Sequence, residues 1–193
     1  PAAELQDVIA ENLEDLRRMA IIVNDMLFLS QADRGASARR SPVTSLAAEL
    51  GEIIEYHEAS LHDRGLSAVC DGDAKGAFDL SLLRRALSNL LSNATRYAKP
   101  GSTIRVRIAS EGGRIRIWVE NEGSPIEQEH LPRLFDRFYR AERSRRQVGA
   151  SNHGLGLAIV AAIARMHQGE PFARSADGIT TIGLDVPSSA ATA

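Results

Sequence analysis

The sequence predicts an α+β chain: a two-layer α/β sandwich, in which a mixed sheet carries helices on one face, preceded by one long helix. Three observations predict it. Ile104, Val106 and Ile108, then Ile115, Ile117 and Val119, alternate with Arg105, Arg107, Arg116 and Trp118, the two-residue period of strands buried on one face. Residues 79–97 and 155–168 carry apolar side chains at helical spacing. Residues 4–33 form an uninterrupted helical pattern of their own.

In that first segment Ile9, Leu13, Leu16, Ala20, Val23 and Leu27 follow in steps of four and three, a heptad seam. A second row, Val8, Met19, Ile22, Met26 and Leu29, widens the stripe to what a helix buries inside a bundle. Residues 34–42 (RGASARRSP) are polar and punctuated by Gly and Pro, so 34–43 reads as a linker between a unit at 1–33 and a domain at 44–187.

Ser45 caps a helix bearing Leu46, Leu50, Ile53, Ile54 and Leu61 that ends before Gly65. His57 falls on its apolar face as a packed histidine. Short strands are expected at 66–70 and 76–78. Asp79 then caps a helix reaching Tyr97, with Leu83, Leu87, Leu90, Leu91 and Ala94 toward the core. The two alternating strands follow, joined by Glu111-Gly112-Gly113. Their arginines lie on the outer face as surface residues and make no nucleic-acid patch. A short helix near 127–134, a polar stretch at 141–153, an apolar helix at 155–168 stopped by Gly169, and strands near 172–174 and 180–186 complete the order. The tail, 188–193, has too little apolar content to pack and is expected to be disordered.

Composition narrows the function. Among 193 residues, 23 Lys and Arg oppose 25 Asp and Glu, so a net charge of -2 gives no whole-chain signature of nucleic-acid or membrane-surface binding. An anionic ligand must be met by a local cluster. Cys70 stands alone, which excludes an intramolecular disulfide and a multi-thiolate metal site and fits a reducing, cytoplasmic compartment. No apolar run approaches the ~20 residues of a membrane helix. The chain begins in mid-pattern, as a fragment of a larger protein does.

Three elements carry chemistry. Asn89 and Asn93 lie one helical turn apart, with Arg85 before and Arg96 after. An amide oxygen is a hard ligand suited to Mg²⁺ beside substrate phosphates, and Arg96 can meet a phosphate; the same pair alone also reads as a solvated helix face. Next, VENEGSPI (119–126) sets an Asn and a Gly turn at a strand exit, where one side-chain amide can meet a base edge. Finally, GASNHGLG (149–156) opens the apolar helix, whose free N–H groups and dipole favour a phosphate. Neither a Walker motif nor a dinucleotide fingerprint is present.

Together with the aromatic FDRFYR segment (135–140), these elements resemble, in order and spacing, the N, G1, F and G2 boxes of sensor histidine kinases across residues 4–187. RALSNLLSNATRY, HLPRLFDRFYR and DMLFLSQAD look most like the heavy-metal-responsive (copper, silver, zinc or cadmium) subfamily. The resemblance implies a GHKL (Bergerat) ATP-binding fold that uses ATP and Mg²⁺. It makes Asn93 the Mg²⁺ ligand, Asn89 a second polar contact, and Arg96 and Tyr97 phosphate and nucleotide contacts. Asn121 falls where many members carry an adenine-reading Asp, and an Asn oxygen can still accept from the adenine amino group. Gly123, Ile126, Phe138, Gly154, Leu155, Gly156 and Thr180 complete the implied nucleotide set, Arg137 or Arg140 joins Arg96 in neutralising phosphate charge, and 141–153 acts as a lid. Pro125 and Ile179 depart from the family's usual glycines.

The reaction so implied is transfer of the ATP γ-phosphoryl group to a histidine, then relay to an aspartate of a response-regulator receiver domain. Residues 4–33 resemble the second helix of the family's homodimeric dimerisation domain. The helix carrying the phosphoacceptor histidine is expected upstream, because His57, His62, His130, His153 and His167 stand in unsuitable contexts. This portion would be the cytoplasmic part of a bacterial inner-membrane protein, attached to the membrane only through upstream segments. Two rival readings stay open: a serine kinase of the anti-sigma type, and a non-catalytic GHKL scaffold that binds nucleotide or a partner without turnover.

Overall fold

The computed structural model describes residues 2–140 and 153–189. The elements are α1 (Ala2–Asp33), β1 (Ser41–Val43), α2 (Leu46–His62), β2 (Ser67–Asp71), β3 (Gly76–Phe78), α3 (Leu80–Tyr97), β4 (Thr103–Glu111), β5 (Arg114–Glu122), a 3₁₀ turn at Leu131–Arg133, α4 (Gly156–Met166), β6 (Glu170–Ala176) and β7 (Ile179–Pro187). Among these, no helix is long and apolar enough to cross a membrane.

The main sheet has five strands in the order β2-β4-β5-β7-β6; β2 runs parallel to β4 and the remaining pairs are antiparallel. Alternation along β4 and β5 turns Ile104, Val106, Ile108, Ile115, Ile117 and Val119 inward, and the register Ile115↔Val186, Ile117↔Leu184 and Val119↔Ile182 continues that face onto β7. α2, α3 and α4 cover it and share its core. The helix starts match their caps: the Ser45 hydroxyl accepts from Ala48 N–H and the Asp79 carboxylate from Leu82 N–H.

The opposite sheet face is charged. Arg107 bonds Glu120, and Arg114 and Arg116 both bond Asp185. Trp118 sits across from Gly183, where a Cβ would lie 2.4 Å from the Trp118 Cβ, so a bare backbone is what admits the indole.

α1 docks only by its C-terminal end. Leu29 is buried in the common core with Ile22, Phe28 and Ala32 packed beside it, whereas Ile9, Leu13, Leu16 and Met19 are exposed. Arg85 of α3 holds this end through Asp25 at 2.6 Å and stacks its guanidinium 4.1 Å from the Phe28 ring centre.

Three local expectations are corrected. The 34–43 stretch is not all linker: Ser41–Val43 pairs antiparallel with β3, and just before it Ala38 N–H bonds Met166 O and Arg39 N–H bonds the Asp79 carboxylate. The helix expected at 127–134 contracts to the single 3₁₀ turn, with Pro132 inside it. The tail is held at its start, since Ser188 N–H bonds Gly113 O and Ser188 O accepts from Ala77 N–H. The stretch expected to be a lid, apart from His153, lies outside the described residues.

Candidate functional site

The ends of α3, β5, β7 and α4 and the segment after the 3₁₀ turn surround a cavity of about 1560 Å³. Of the residues singled out from sequence, Asn93, Arg96, Tyr97, Asn121, Gly123, Ile126, Arg140, Gly154, Gly156 and Thr180 line it. Asn93 and Arg96 project from the last turns of α3, three residues apart on one helix face. Arg96 is the electrostatic oddity: its Nη1 atom is buried without a hydrogen-bond partner among the described residues. Burial, the largest influence, lowers its pKa; Tyr97 opposes it, and the neighbouring cations Arg140 and Arg64 add smaller effects in the same direction as burial. A buried guanidinium nitrogen left unbonded is costly, and an anion entering the cavity would satisfy it.

Behind this charge lies the strand exit. Asn121 closes β5, is only 5% exposed, and donates from its amide to Glu122 O at 3.3 Å. Opposite it in register stands Thr180, also buried, its hydroxyl 3.4 Å from Ser175 Oγ. Ser175 in turn accepts from Ile126 N–H at 2.9 Å, fixing the turn that follows Gly123. A Cβ on Gly123 would stand 2.4 Å from Tyr97 O, so the turn closes against the end of α3 only because that residue is glycine.

The third wall is the start of α4. Its N-cap residue, Leu155, offers no side-chain bond to the first turn, which leaves the helix's leading N–H groups uncapped beside the cavity. Gly154, at φ +71°, brings its backbone against Phe138, and its carbonyl accepts from Phe138 N–H at 2.9 Å. Leu155 itself is 2% exposed and belongs to the core. Asn89 lies under this helix start: a Cβ on Gly156 would be 2.8 Å from Asn89 Oδ1, while the Asn89 amide donates to Arg85 O.

Other sequence-chosen residues stand apart. Arg137 reaches away from the cavity to Asp33 at the end of α1, 2.6 Å distant. Phe138, in a left-handed backbone at φ +61°, is 55% exposed and outside the lining. Tyr139 takes the inward place instead, sharing a 2.7 Å hydrogen bond with His130 Nδ1 and covered by the Arg133 guanidinium at 4.4 Å. Arg64, Lys99, His130 and Arg133 also line the cavity and were missed. His57, expected as a packed histidine, is one: it is buried and its Nε2 shares a hydrogen bond with Ser88.

Residues 78–189 match the family described as histidine kinase-, DNA gyrase B- and HSP90-like ATPase. The chain belongs to this ATPase family. The chain is 49% identical over 167 residues to the sensor histidine kinase CusS of Escherichia coli K12, a match covering 86% of this chain and 35% of that protein. It is 36% identical over 181 residues to the sensor protein CzcS of Cupriavidus metallidurans, covering 93% and 38%. The chain therefore spans about a third of the length of the curated relatives it matches. Its fold is that of the histidine kinase AdeS of Acinetobacter baumannii, with a TM-score of 0.77 at 20% identity over 91% of this chain and 81% of that one. The mycobacterial sensor histidine kinase MprB is similar too, with a TM-score of 0.64 at 25% identity over 77% of the ATPase and 97% of that chain. The GHKL-type α+β architecture expected from the sequence is thus borne out, and so is the kinship with heavy-metal sensor kinases.

Proposed function

We propose that this chain is the ATP-binding catalytic module of a sensor histidine kinase of the heavy-metal-responsive group, transferring the ATP γ-phosphoryl group to a histidine outside residues 1–193. The observation that carries the reading is the buried nitrogen of Arg96, without a partner among the described residues, in a cavity that also holds the Asn93 amide and the start of α4. These residues suit a nucleotide polyphosphate and its metal. Arg96 and Arg140 would hold phosphate oxygens, the uncapped N–H groups of α4 would face the same charge, and Asn121 with Thr180 would meet the base. The Asn93 amide oxygen is the hard donor for Mg²⁺, which supplies charge neutralisation when bound.

Positioning and electrostatics account for most of such a transfer. The acceptor imidazole nitrogen attacks phosphorus, a P–N bond forms, and the bond from phosphorus to the bridging oxygen breaks with its electron pair leaving on ADP. The acceptor brings its own nucleophile, so the module has to supply no general base. Relay to a receiver-domain aspartate, assembly as a homodimer through 1–33, and attachment to a bacterial inner membrane through upstream segments complete the reading. The division into a dimerisation unit at 1–33 and an ATP-binding domain at 44–187, the latter extended at its start by the strand Ser41–Val43, belongs to it as well.

The decisive experiment mixes the chain with a separate histidine-bearing dimerisation domain and labelled ATP. Transfer dependent on Mg²⁺, and abolished by Asn93→Ala, is expected; undiminished transfer by that variant would sink the ligand assignment. ATP binding without any transfer would favour the non-catalytic scaffold.

A further inference from the structure

Arg64 follows α2 and precedes the Gly65 turn, a position that in sequence marks only a helix end. In the folded chain it lines the same cavity as Arg96 and Arg140. Its backbone is fixed: Arg64 N–H bonds Leu61 O, and Gly65 O accepts from Gly101 N–H, tying this turn to the Lys99 and Pro100 loop of the cavity rim. Among the described residues its guanidinium reaches one hydrogen-bond partner, the Thr95 carbonyl at 3.4 Å, in the turn of α3 that bears Arg96. Among the described residues neither Arg64 nor Arg96 makes an ion pair, whereas Arg84, Arg85, Arg107 and Arg114, which do not line the cavity, each do.

Like charges brought close together repel one another, and an anion that joins them relieves the repulsion. Arg64 acts on Arg96 in this sense, helping to lower its pKa together with burial and Arg140. We infer that Arg64 is a further phosphate-contacting residue of the nucleotide site, joining Arg96 and Arg140 in a cluster of three arginines that recognises a nucleoside polyphosphate. The inference rests on the ATP reading above and adds to it a residue from the turn after α2, outside the segments that carry the family resemblance. A weak bond to a carbonyl leaves the guanidinium's remaining donors for ligand oxygens.

The test compares ATP with adenosine, each titrated into the chain and followed by amide NMR shifts, for the unaltered protein and for Arg64→Ala and Arg64→Lys. A charge-assisted contact predicts that Arg64→Ala weakens ATP about tenfold while adenosine changes less than about twofold, and that Arg64→Lys recovers part of the loss. Equal weakening of both ligands, or unchanged ATP affinity, overturns the assignment while leaving the ATP reading intact. Absence of ATP binding by the unaltered chain overturns both.

Discussion

The Asp33 carboxylate and the Arg137 guanidinium lie 2.6 Å apart, joining the last residue of α1 to the segment that runs from the 3₁₀ turn along the cavity rim. Both side chains are about half exposed, so solvent screening leaves the pair little intrinsic strength. A double-mutant cycle of Asp33→Ala and Arg137→Ala should give a coupling below about 1 kcal/mol. Because Arg137 is turned toward α1, Arg137→Ala should leave ATP affinity within about twofold. A tenfold loss by calorimetry would return Arg137 to the phosphate-neutralising role that the family resemblance allows it.

Arg96 trades stability for binding. Its Nη1 atom is buried and unbonded, so Arg96→Met should raise the stability of the ligand-free protein by up to about 1 kcal/mol while lowering ATP affinity at least about tenfold. Urea denaturation and calorimetry on the same variant check both signs. A variant that loses stability and binding together would contradict the account.

Gly123 and Gly156 should respond differently to alanine. At Gly123 the new methyl meets the Tyr97 carbonyl at 2.4 Å, so backbone must move and a cost of about 1–3 kcal/mol is expected. At Gly156 the nearest atom is Asn89 Oδ1 at 2.8 Å, the end of a side chain that can rotate, so the change should be nearly neutral for melting temperature. Its effect should appear instead as a displaced Asn89 amide resonance, since the bond to Arg85 O is disturbed.

His167 makes stability depend on pH. It is fully buried, accepts from Asp79 N–H at Nε2, and its Nδ1 donates to Ile163 O, an arrangement that requires the neutral ring. Burial, the largest influence, lowers its pKa below the ordinary 6.5, with Ile163 O and Asp79 opposing and Arg40 reinforcing the shift. The pKa of His57, also buried, is lowered by burial too. Between the folded pKa and 6.5 the unfolded chain binds more protons, so stability is full above about pH 6.5 and falls as pH drops toward the folded value. Denaturation midpoints between pH 7.5 and 5.5 should decline, and His167→Phe should flatten that slope.

The sheet and α3 were legible because their information is local: alternation over β4 and β5, and a leucine stripe behind the Asp79 cap, need no partner to be seen. β1 was hidden because Ser41–Val43, at the end of the 34–43 stretch, become a strand only when β3 arrives more than thirty residues later. The stretch at 127–134 looked helical, but Pro132 limits it to one tight turn. In the site, Asn93, Arg96 and Asn121 were found from motif spacing, whereas Arg64 enters from a helix end whose relation to Arg96 exists only in three dimensions. Phe138 and Tyr139 exchange inner and outer places because the backbone takes a left-handed step at Phe138. Aromatic composition does not reveal such a step.

Pairing of β1 with β3 also sets the length of the leash between α1 and the ATP site. With Ala38, Arg39 and Arg40 already bonded to Met166, Asp79 and His167, the connection reduces to residues 34–37, the first three of which bond back to Ser30, Gln31 and Ala32 at the end of α1. Four residues span at most about 14 Å. A twist or tilt of α1 would therefore act on the module as a lever on a short hinge, its force delivered where α3 begins and α4 ends.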